Sequence, residues 1–243
     1  MVGLGLMGHN TLLEMNLNRK ALSAASRVVA AVHTPAGLRS AQRLGAQVFG
    51  YLELRLDALA TEPELKEERI LRIQPRVLLT ARHPAEGGCG ALSLLQRRAL
   101  LEEFLPVAGA VDVELRSVRA MSGLLEEASR RKVQKVISFH DFRGTPSLVR
   151  LREVFRRSHH AGADIVKIAT HLNGARDLAV LLQLQASART PLATMGMGPL
   201  GKVSRLVLAA AGSRLNYGYL DKPQVPGQWP APELVRRLEE VLP

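Results

Sequence analysis

The chain has 243 residues, of which 47% are hydrophobic and 23% are charged, a composition typical of packed globular proteins that excludes intrinsic disorder. No apolar run approaches the roughly 20 residues needed to span a bilayer, and no charged segment precedes an apolar core at the N-terminus, so we predict neither a membrane span nor a secretory signal. The net charge is +11, but the basic residues are scattered and only 4% of residues are aromatic, so we expect no nucleic-acid or membrane partner. The single cysteine, Cys89, cannot form an internal disulfide and suits a cytoplasmic protein.

The first motif is GLGLMG at residues 3–8, which fits the G-x-G-x-x-G pattern of dinucleotide-binding loops. That loop follows a buried strand in nucleotide-binding proteins, and here only Met1 and Val2 precede it. The next apolar run leads into His33 without a carboxylate that could hold a ribose. We therefore predict that residues 1–26 are an extension without a nucleotide site and that the catalytic domain covers residues 27–243.

After residue 26, short β-branched runs alternate with stretches of helical periodicity. The predicted strands cover residues 27–33, 47–56, 76–82, 110–116, 135–140, 164–170, 191–195 and 215–219. The predicted helices lie near residues 36–44, 62–72, 92–105, 118–132, 146–161, 174–188, 200–212 and 231–242. Eight βα units in strict alternation, without a Pro/Gly/Ser-rich linker, predict a single-domain α/β fold, the (β/α)8 TIM barrel. An open doubly wound sheet is the alternative.

Charged and polar residues end or follow nearly every predicted strand. They include Glu53, Arg55, Asp57, Arg82, Glu86, Glu114, Arg116, His140, Lys167, Arg205 and Tyr217, and the apolar Met195 ends the seventh strand. Barrels of this type carry their catalytic groups at the C-terminal ends of the strands. These side chains would converge on one rim, which scattered surface charge would not do, so we predict an active site there.

Lys167 lies in the apolar segment ADIVKIAT, where a buried amine is costly unless it is paired or neutral. Burial and neighbouring cations free the lone pair of an amine for attack on a carbonyl, but a salt bridge with Glu53 or Glu114 would also explain a lysine here. His140 ends the adjacent strand and would face the same cavity, where a neutral imidazole can transfer protons. Glu86 is well placed to fix its tautomer.

Three strand-end arginines can recognise an anion, since a guanidinium binds a carboxylate with two parallel hydrogen bonds. They are Arg55, Arg82 and Arg205. Arg205 begins the helix after the seventh strand, a common anion site in such barrels. With Glu53 nearby, the set predicts a small, anionic, polyhydroxylated substrate, whereas we expect Arg116 to form a salt bridge with Glu114.

Six segments together resemble type I 3-dehydroquinate dehydratases. They are ELRLD (53–57), TARHPAEGG (80–88), SFHDFRGTP (138–146), ADIVKIA (163–169), MGMGPLGKVSR (195–205) and VPGQ (225–228). The segments occur in the order of that family and cover roughly residues 27–243. The resemblance implies a (β/α)8 barrel without metal or cofactor, assembled as a homodimer, that acts on 3-dehydroquinate in the shikimate pathway.

The resemblance also implies a role for each site residue. Lys167 would form a Schiff base with the ketone of 3-dehydroquinate, His140 would remove the proton from the adjacent carbon and help water leave, and Glu86 would orient His140. A second group of side chains would bind the substrate and wall the pocket. These are Glu53, Arg55, Arg82, Phe142, Met195, Arg205, Tyr217, Gln224 and Gln228.

Two positions depart from the family pattern. Gln224 stands where the family commonly has serine, on the loop expected to close over the substrate. Its amide can donate a hydrogen bond but is longer, so we expect an effect on substrate affinity. Tyr217 stands where phenylalanine is frequent.

Two other functions fit parts of the pattern. A class I aldolase also uses a barrel lysine imine, and MGMGPLG could hold a sugar phosphate, although the histidine of SFHD and the PGQ loop argue against it. A non-catalytic basic binding protein on a barrel scaffold agrees with the charge and with Gln224. Salt-sensitive nucleic-acid binding that survives loss of Lys167 would favour the binding protein over the aldolase.

Overall fold

The computed structural model describes residues 23–45, 48–63, 65–73 and 75–242. The strands are β1 (Val28–Val32), β2 (Tyr51–Arg55), β3 (Arg76–Thr80), β4 (Ala110–Glu114), β5 (Gln134–Asp141), β6 (Ile165–His171), β7 (Leu192–Met197) and β8 (Asn216–Tyr219). The α-helices are α1 (Pro35–Ala41), α2 (Leu56–Leu59), α3 (Glu67–Ile70), α4 (Leu94–Phe104), α5 (Ser122–Arg130), α6 (Leu148–His160), α7 (Ala175–Ser187), α8 (Gly201–Ala210) and α9 (Ala231–Val241). Within these ranges, none of the helices is long and apolar enough to cross a membrane.

The strands form one sheet in the order β7-β6-β5-β4-β3-β2-β1-β8, and every hydrogen-bonded pair is parallel. The sheet curls into a nearly closed barrel whose end strands, β7 and β8, meet without a regular ladder. Isolated bonds join β7 to the residues just before β8 instead: Arg214 N donates to Leu192 O at 2.8 Å, and Ser213 Oγ accepts from Thr194 N at 3.0 Å. The predicted (β/α)8 barrel is confirmed.

Alternate residues of each strand face the inside of the barrel, because successive side chains of a strand point to opposite faces. Near the N-terminal ends of the strands, the inward residues form an apolar floor that includes Val29, Tyr51, Leu78, Ala110, Val136 and Ile165. Two residues further along β2, β4 and β6, the same face carries Glu53, Asp112 and Lys167. The barrel therefore has an apolar floor beneath a charged layer, and the charged layer is the base of the candidate site.

The predicted helix near residues 62–72 is wrong. The chain between β2 and β3 forms the two four-residue helices α2 and α3, separated by residues that include an extended Lys66 with φ −126° and ψ 144°. Pro63 lies at the start of the predicted helix and Pro75 lies shortly after its end, and a proline lacks the backbone N–H that a continuing helix needs. The predicted strand 47–56 is also too long, because β2 covers only Tyr51–Arg55.

The N-terminal extension was predicted over residues 1–26, and residues 1–22, with the GLGLMG motif, lie outside the described residues. Its last residues lie against the barrel: Ala24 is buried, and Ala25 O accepts a hydrogen bond from Gly50 N at 2.8 Å. The described chain therefore joins the barrel a few residues before β1.

Candidate active site

The C-terminal ends of the strands surround a cavity of about 530 Å³ including its open mouth. All twelve residues predicted for catalysis and substrate binding line it: Lys167, His140, Glu86, Glu53, Arg55, Arg82, Phe142, Met195, Arg205, Tyr217, Gln224 and Gln228. Gly87, Ala169, Met197 and Val225 complete the lining. The structure brings the predicted set together, while the role of each residue stays a prediction.

Lys167 lies at the centre of the charged layer and is 3% exposed. Its Nζ atom is 2.9 Å from Asp112 Oδ2 and 3.7 Å from Glu53 Oε1, and it lies 4.0 Å from the centre of the Tyr217 ring. Of the two salt-bridge partners considered from the sequence, Glu53 is close, whereas Glu114 is bonded to other cations. The lysine is therefore both buried and open to the cavity.

Asp112 is the central residue that the sequence did not reveal. Its carboxylate accepts hydrogen bonds from Lys167 Nζ at 2.9 Å, from both Nη atoms of Arg82 at 2.8 and 2.9 Å, and from Ser138 Oγ at 2.6 Å. Burial would raise the pKa of this carboxyl, but the charges of Arg82 and Lys167 hold the pKa well below its usual range. Asp112 is thus a permanent anion beside the amine. The sequence does contain a signal for this residue. Asp112 lies two positions before Glu114 in the strand AVDVE, so both carboxylates face the same side of the strand.

Glu114 does not pair with Arg116, so that expectation is wrong. Glu114 Oε1 accepts from Arg82 Nη1 at 3.1 Å, and Oε2 accepts from Arg97 Nη1 at 3.0 Å. Arg97 belongs to α4 and is 2% exposed, whereas Arg116 is exposed on the turn Leu115–Ser117. A buried carboxylate takes the buried guanidinium because both would otherwise be unpaired in a medium of low polarity.

His140 and Glu86 form a hydrogen-bonded pair at one side of the cavity. Glu86 Oε2 lies 3.0 Å from His140 Nδ1 and accepts a second bond from His140 N at 3.0 Å. Burial, with the charges of Arg82 and Lys167, lowers the pKa of His140 well below its usual value, so the imidazole is neutral at pH 7. Burial and the charge of Glu114 raise the pKa of Glu86 to about 7. An ionised Glu86 accepts the proton of Nδ1, which leaves Nε2 with its lone pair free to act as a base.

The loop after β3 is fastened over the barrel by Asp57. This carboxylate accepts from Arg55 Nε and Nη2 at 2.9 and 2.7 Å and from the backbone N–H groups of Arg82 and Cys89 at 3.1 and 2.8 Å. Arg55 Nη2 also donates to Gly87 O at 3.0 Å. These bonds hold the loop that carries Glu86 in a fixed position relative to β2.

Arg205 is a buried cation without a carboxylate partner among the described residues. Its Nε donates to Tyr217 O at 2.8 Å, and its Nη1 donates to the carbonyl oxygens of Gly196, Gly201 and Gly227 at 2.9, 2.8 and 2.7 Å. Burial lowers the pKa of Arg205 to about 10, so the guanidinium is charged at neutral pH. An uncompensated positive charge that lines a cavity favours an anionic ligand.

The loop before α9 closes the cavity on the side of Arg205. Gln228 Oε1 accepts from Gln224 N at 2.7 Å and from Val225 N at 3.4 Å, which holds the loop in a turn. The Nε2 atom of Gln224 is buried and has no hydrogen-bond partner within the described chain. Its donor is therefore available to a bound molecule.

Apolar and aromatic side chains form the remaining walls. Phe142 stacks near His140 with ring centres 6.4 Å apart and is 41% exposed, whereas Met195 and Tyr217 are buried. The Tyr217 hydroxyl is buried without a hydrogen-bond partner among the described residues, and burial raises its pKa well above the usual value. This phenol therefore stays neutral and can only donate or accept a hydrogen bond.

Comparison with known proteins agrees with this geometry. The sequence model of a family described as "Type I 3-dehydroquinase" matches residues 28–241. The chain belongs to the type I 3-dehydroquinase family. The resemblance seen in the sequence motifs is confirmed, and the matched residues cover the whole barrel.

Relatives and solved structures of the family match most of the chain. The 3-dehydroquinate dehydratase of Methanocella arvoryzae is 33% identical over 213 residues, which are 87% of this chain and 95% of that protein. The enzyme of the same name from Aquifex aeolicus is 32% identical over 202 residues, which are 82% of this chain and 89% of that protein. A crystal structure of type I 3-dehydroquinate dehydratase from Clostridium difficile with covalently modified comenic acid has a TM-score of 0.79 at 27% identity and covers 88% of this chain and 91% of that chain.

Proposed function

We propose that the protein dehydrates 3-dehydroquinate to 3-dehydroshikimate in the shikimate pathway, through a Schiff base on Lys167 with His140 as general base and acid. One observation carries this function: a single buried cavity holds an amine, an imidazole oriented by a carboxylate, and the guanidinium of Arg205 without a counter-ion. These groups match a substrate that has a ketone, an acidic carbon–hydrogen bond and a carboxylate.

The first step forms the imine. The Lys167 amine attacks the ketone carbon of the substrate, and the resulting carbinolamine loses water to give a protonated imine. Asp112 lies 2.9 Å and Glu53 lies 3.7 Å from Nζ, so both carboxylates stabilise the positive charge of the iminium. The iminium withdraws electrons from the adjacent carbon and acidifies its proton.

The second step eliminates water. His140 Nε2 takes the acidified proton while Glu86 holds Nδ1–H, and the electron pair moves into the imine to give an enamine. The enamine then expels the hydroxyl group of the next carbon, and His140 returns its proton so that the group leaves as water. Hydrolysis of the new conjugated imine consumes one water, releases 3-dehydroshikimate and restores Lys167.

The remaining lining residues fix the substrate in place. Arg205 binds the carboxylate, because its charge has no other carboxylate partner within the described chain, and the amide of Gln224 donates to the same end of the substrate. Arg55 and Glu53 bind ring hydroxyls. Arg82 lines the cavity, but its two Nη atoms are bonded to Asp112, so it also orders the charged layer.

The covalently modified comenic acid in the Clostridium difficile relative supports this assignment, because comenic acid is also a small carboxylic acid with a carbonyl group. The class I aldolase alternative would need a site for a phosphate rather than a carboxylate. The alternative of a basic binding protein gives no reason for an oriented imidazole beside a buried amine.

Borohydride trapping tests the function. The protein is incubated with 3-dehydroquinate, reduced, and examined by intact mass and peptide mapping, alongside Lys167→Ala and the control Lys202→Ala, which removes an amine outside the cavity. We expect an adduct on Lys167 that is absent from Lys167→Ala and unchanged in Lys202→Ala, with ultraviolet absorbance from the conjugated enone of the product. A folded protein that forms neither adduct nor product at saturating substrate would exclude the function.

A homodimer and a cytoplasmic location follow from the family resemblance and the single cysteine, and both stay predictions. Sedimentation velocity of the purified protein tests the first, and fractionation of the source cell tests the second.

A further inference from the structure

A second cavity lies on the outer side of the His140–Glu86 pair, between the ends of β4 and β5 and helix α6. It has a volume of about 1260 Å³ including its open mouth. Its floor is apolar and contains Leu115, Phe139, Pro146 and Val154. Its rim carries Arg116, Arg143, Arg150 and Arg157, and we name it the arginine groove.

The local structure places these four arginines around one opening. Arg150, Val154 and Arg157 follow one another at intervals of four and three residues on α6, so they share one face of the helix. Arg116 comes from the turn after β4, and Arg143 comes from the loop after β5. Within the described residues, none of the four guanidinium groups forms a salt bridge or a hydrogen bond, although Arg150 and Arg157 attract the carboxylate of Glu153 on the same helix.

The carboxylates near the groove are already occupied. Glu86 is bonded to His140, and Asp141 Oδ1 accepts from Arg143 N at 2.9 Å to close a turn. Glu153 forms a salt bridge with Arg156 at 2.8 Å on a neighbouring face of α6. The groove therefore keeps an excess of positive charge over an apolar floor.

We propose that the arginine groove is a second ligand site that binds a small aromatic carboxylate. The ring would lie on the apolar floor beside Phe139 and the exposed Phe142, and the carboxylate would be held by the arginines of α6. Guanidinium groups suit this ligand because they bind carboxylates with two bonds and stack on flat rings. A bare inorganic anion would leave the apolar floor uncovered.

Binding here would act on catalysis, because Glu86, His140 and Phe142 line both cavities. The charged groups that act on Glu86 are Glu114, which disfavours its ionised form, and Arg82 and Arg116, which favour it, together with the bond from His140. A carboxylate held by Arg150 and Arg157 would share the groove with Arg116 and cancel part of the support from its charge, so Glu86 would keep its proton and His140 would lose its acceptor. This effect on turnover rests on the proposed function, whereas binding itself does not.

The binding test uses the fluorescent aromatic sulfonate 8-anilinonaphthalene-1-sulfonate as the probe and the wild-type protein, with cinnamate and sulfate as competitors. The Arg150→Gln/Arg157→Gln double variant removes two rim charges, and Arg152→Gln/Arg176→Gln removes two exposed charges outside the groove. We expect the first variant to bind the probe at least tenfold more weakly and the second to bind within twofold of wild type. Equal affinity in the two variants, or sulfate competing as well as cinnamate at equal concentration, would overturn the proposal.

Two further measurements separate the other outcomes. Sedimentation velocity of both double variants shows whether the groove is instead an interface between copies of the chain, and a change of oligomeric state only in Arg150→Gln/Arg157→Gln would overturn the proposal. In the dehydratase assay, cinnamate is expected to lower kcat of wild type with little change in KM and to have a weaker effect on that variant. If the protein shows no dehydratase activity, the probe binding still tests the groove.

Discussion

Lys167 Nζ lies 2.9 Å from Asp112 Oδ2 inside the barrel, and Asp112 also holds both Nη atoms of Arg82. This ion pair explains how the amine of Lys167 can be buried inside the barrel, because each charge compensates the other. The carboxylates of the charged layer balance its cations, since Glu114 and Glu53 accompany Asp112 while Arg97 accompanies Lys167 and Arg82. The charge of Arg205 lies outside this balance and has no carboxylate partner among the described residues.

The first prediction concerns Asp112→Asn. The change leaves two buried cations without their shared anion, so we expect the free energy of unfolding at pH 7 to fall by about 3–5 kcal/mol. Because the folded pKa of Asp112 lies below its unfolded value, its stabilisation is present above about pH 4 and is lost as the pH falls further. The difference between variant and wild type in urea unfolding should therefore narrow below about pH 4.

Ser138→Ala is the matched control, because it removes a neutral hydroxyl that donates to Asp112 and accepts from Arg82 Nη1, and it changes no charge in the layer. Its expected cost is about 1 kcal/mol. If both variants unfolded with the same free energy, the charge of Asp112 would not be what stabilises the layer.

The second prediction concerns the pH dependence of catalysis through Glu86. Its pKa of about 7 means that the acceptor for His140 Nδ1–H is lost on acidification, so kcat of wild type should rise with pH through about 7. Glu86→Gln should lower kcat roughly 10- to 100-fold, since proton transfer by a positioned group contributes about 100-fold or more, and should remove that acid limb. A Glu86→Gln variant that kept a limb near pH 7 would assign the limb to another group.

Glu86 also gives a prediction on stability with the opposite sign to Asp112. The pKa of Glu86 is higher in the folded protein than in the unfolded chain. Its contribution to the free energy of unfolding is therefore complete below about pH 4.5 and is lost as the pH rises through about 7. Gln cannot ionise, so Glu86→Gln should gain stability relative to wild type between pH 5 and pH 8. Thermal unfolding across that range measures the difference, and a constant difference would argue against the raised pKa.

The third prediction concerns Gln224, whose Nε2 is buried and unpartnered in the cavity wall. Gln224→Ala should raise KM for 3-dehydroquinate by about 2- to 10-fold, the equivalent of one hydrogen bond, with kcat within twofold of wild type. Gln42→Ala is the control, because its Nε2 is also buried without a partner in the described chain but is remote from the cavity lining. Equal KM in all three proteins would remove Gln224 from the binding site.

The sequence predicts the barrel well because the signals for it are local. Short β-branched runs that alternate with helical stretches give the strands, and polar residues occur where each predicted strand ends. The sequence does not show which charged residues pair with each other. Glu114 bonds to Arg97 because the packing of α4 brings its buried arginine to the end of β4. Asp112 was missed for a related reason. It lies within a strand, one layer below the rim, and only the inward alternation of β4 places it beside Lys167.

The fourth prediction concerns Gly227, where two loops of the site touch. Gly227 has φ +82°, and a Cβ built on it would lie 2.4 Å from Gly198 O, so no side chain fits without moving the loop that carries Gln228. Gly212→Ala is the matched control, because Gly212 has φ +97° with open space around it. The control should lose only the conformational energy of a left-handed residue, about 1–2 kcal/mol.

Gly227→Ala should lose more stability than the control and should also raise KM, because the displaced loop withdraws both Gln228 and the carbonyl that accepts from Arg205 Nη1. Urea unfolding and steady-state kinetics on the two variants separate the effects. If the two variants lost equal stability and kept wild-type KM, the contact between the loops would carry no energy, and the carbonyls of Gly196, Gly201 and Tyr217 would suffice to position Arg205.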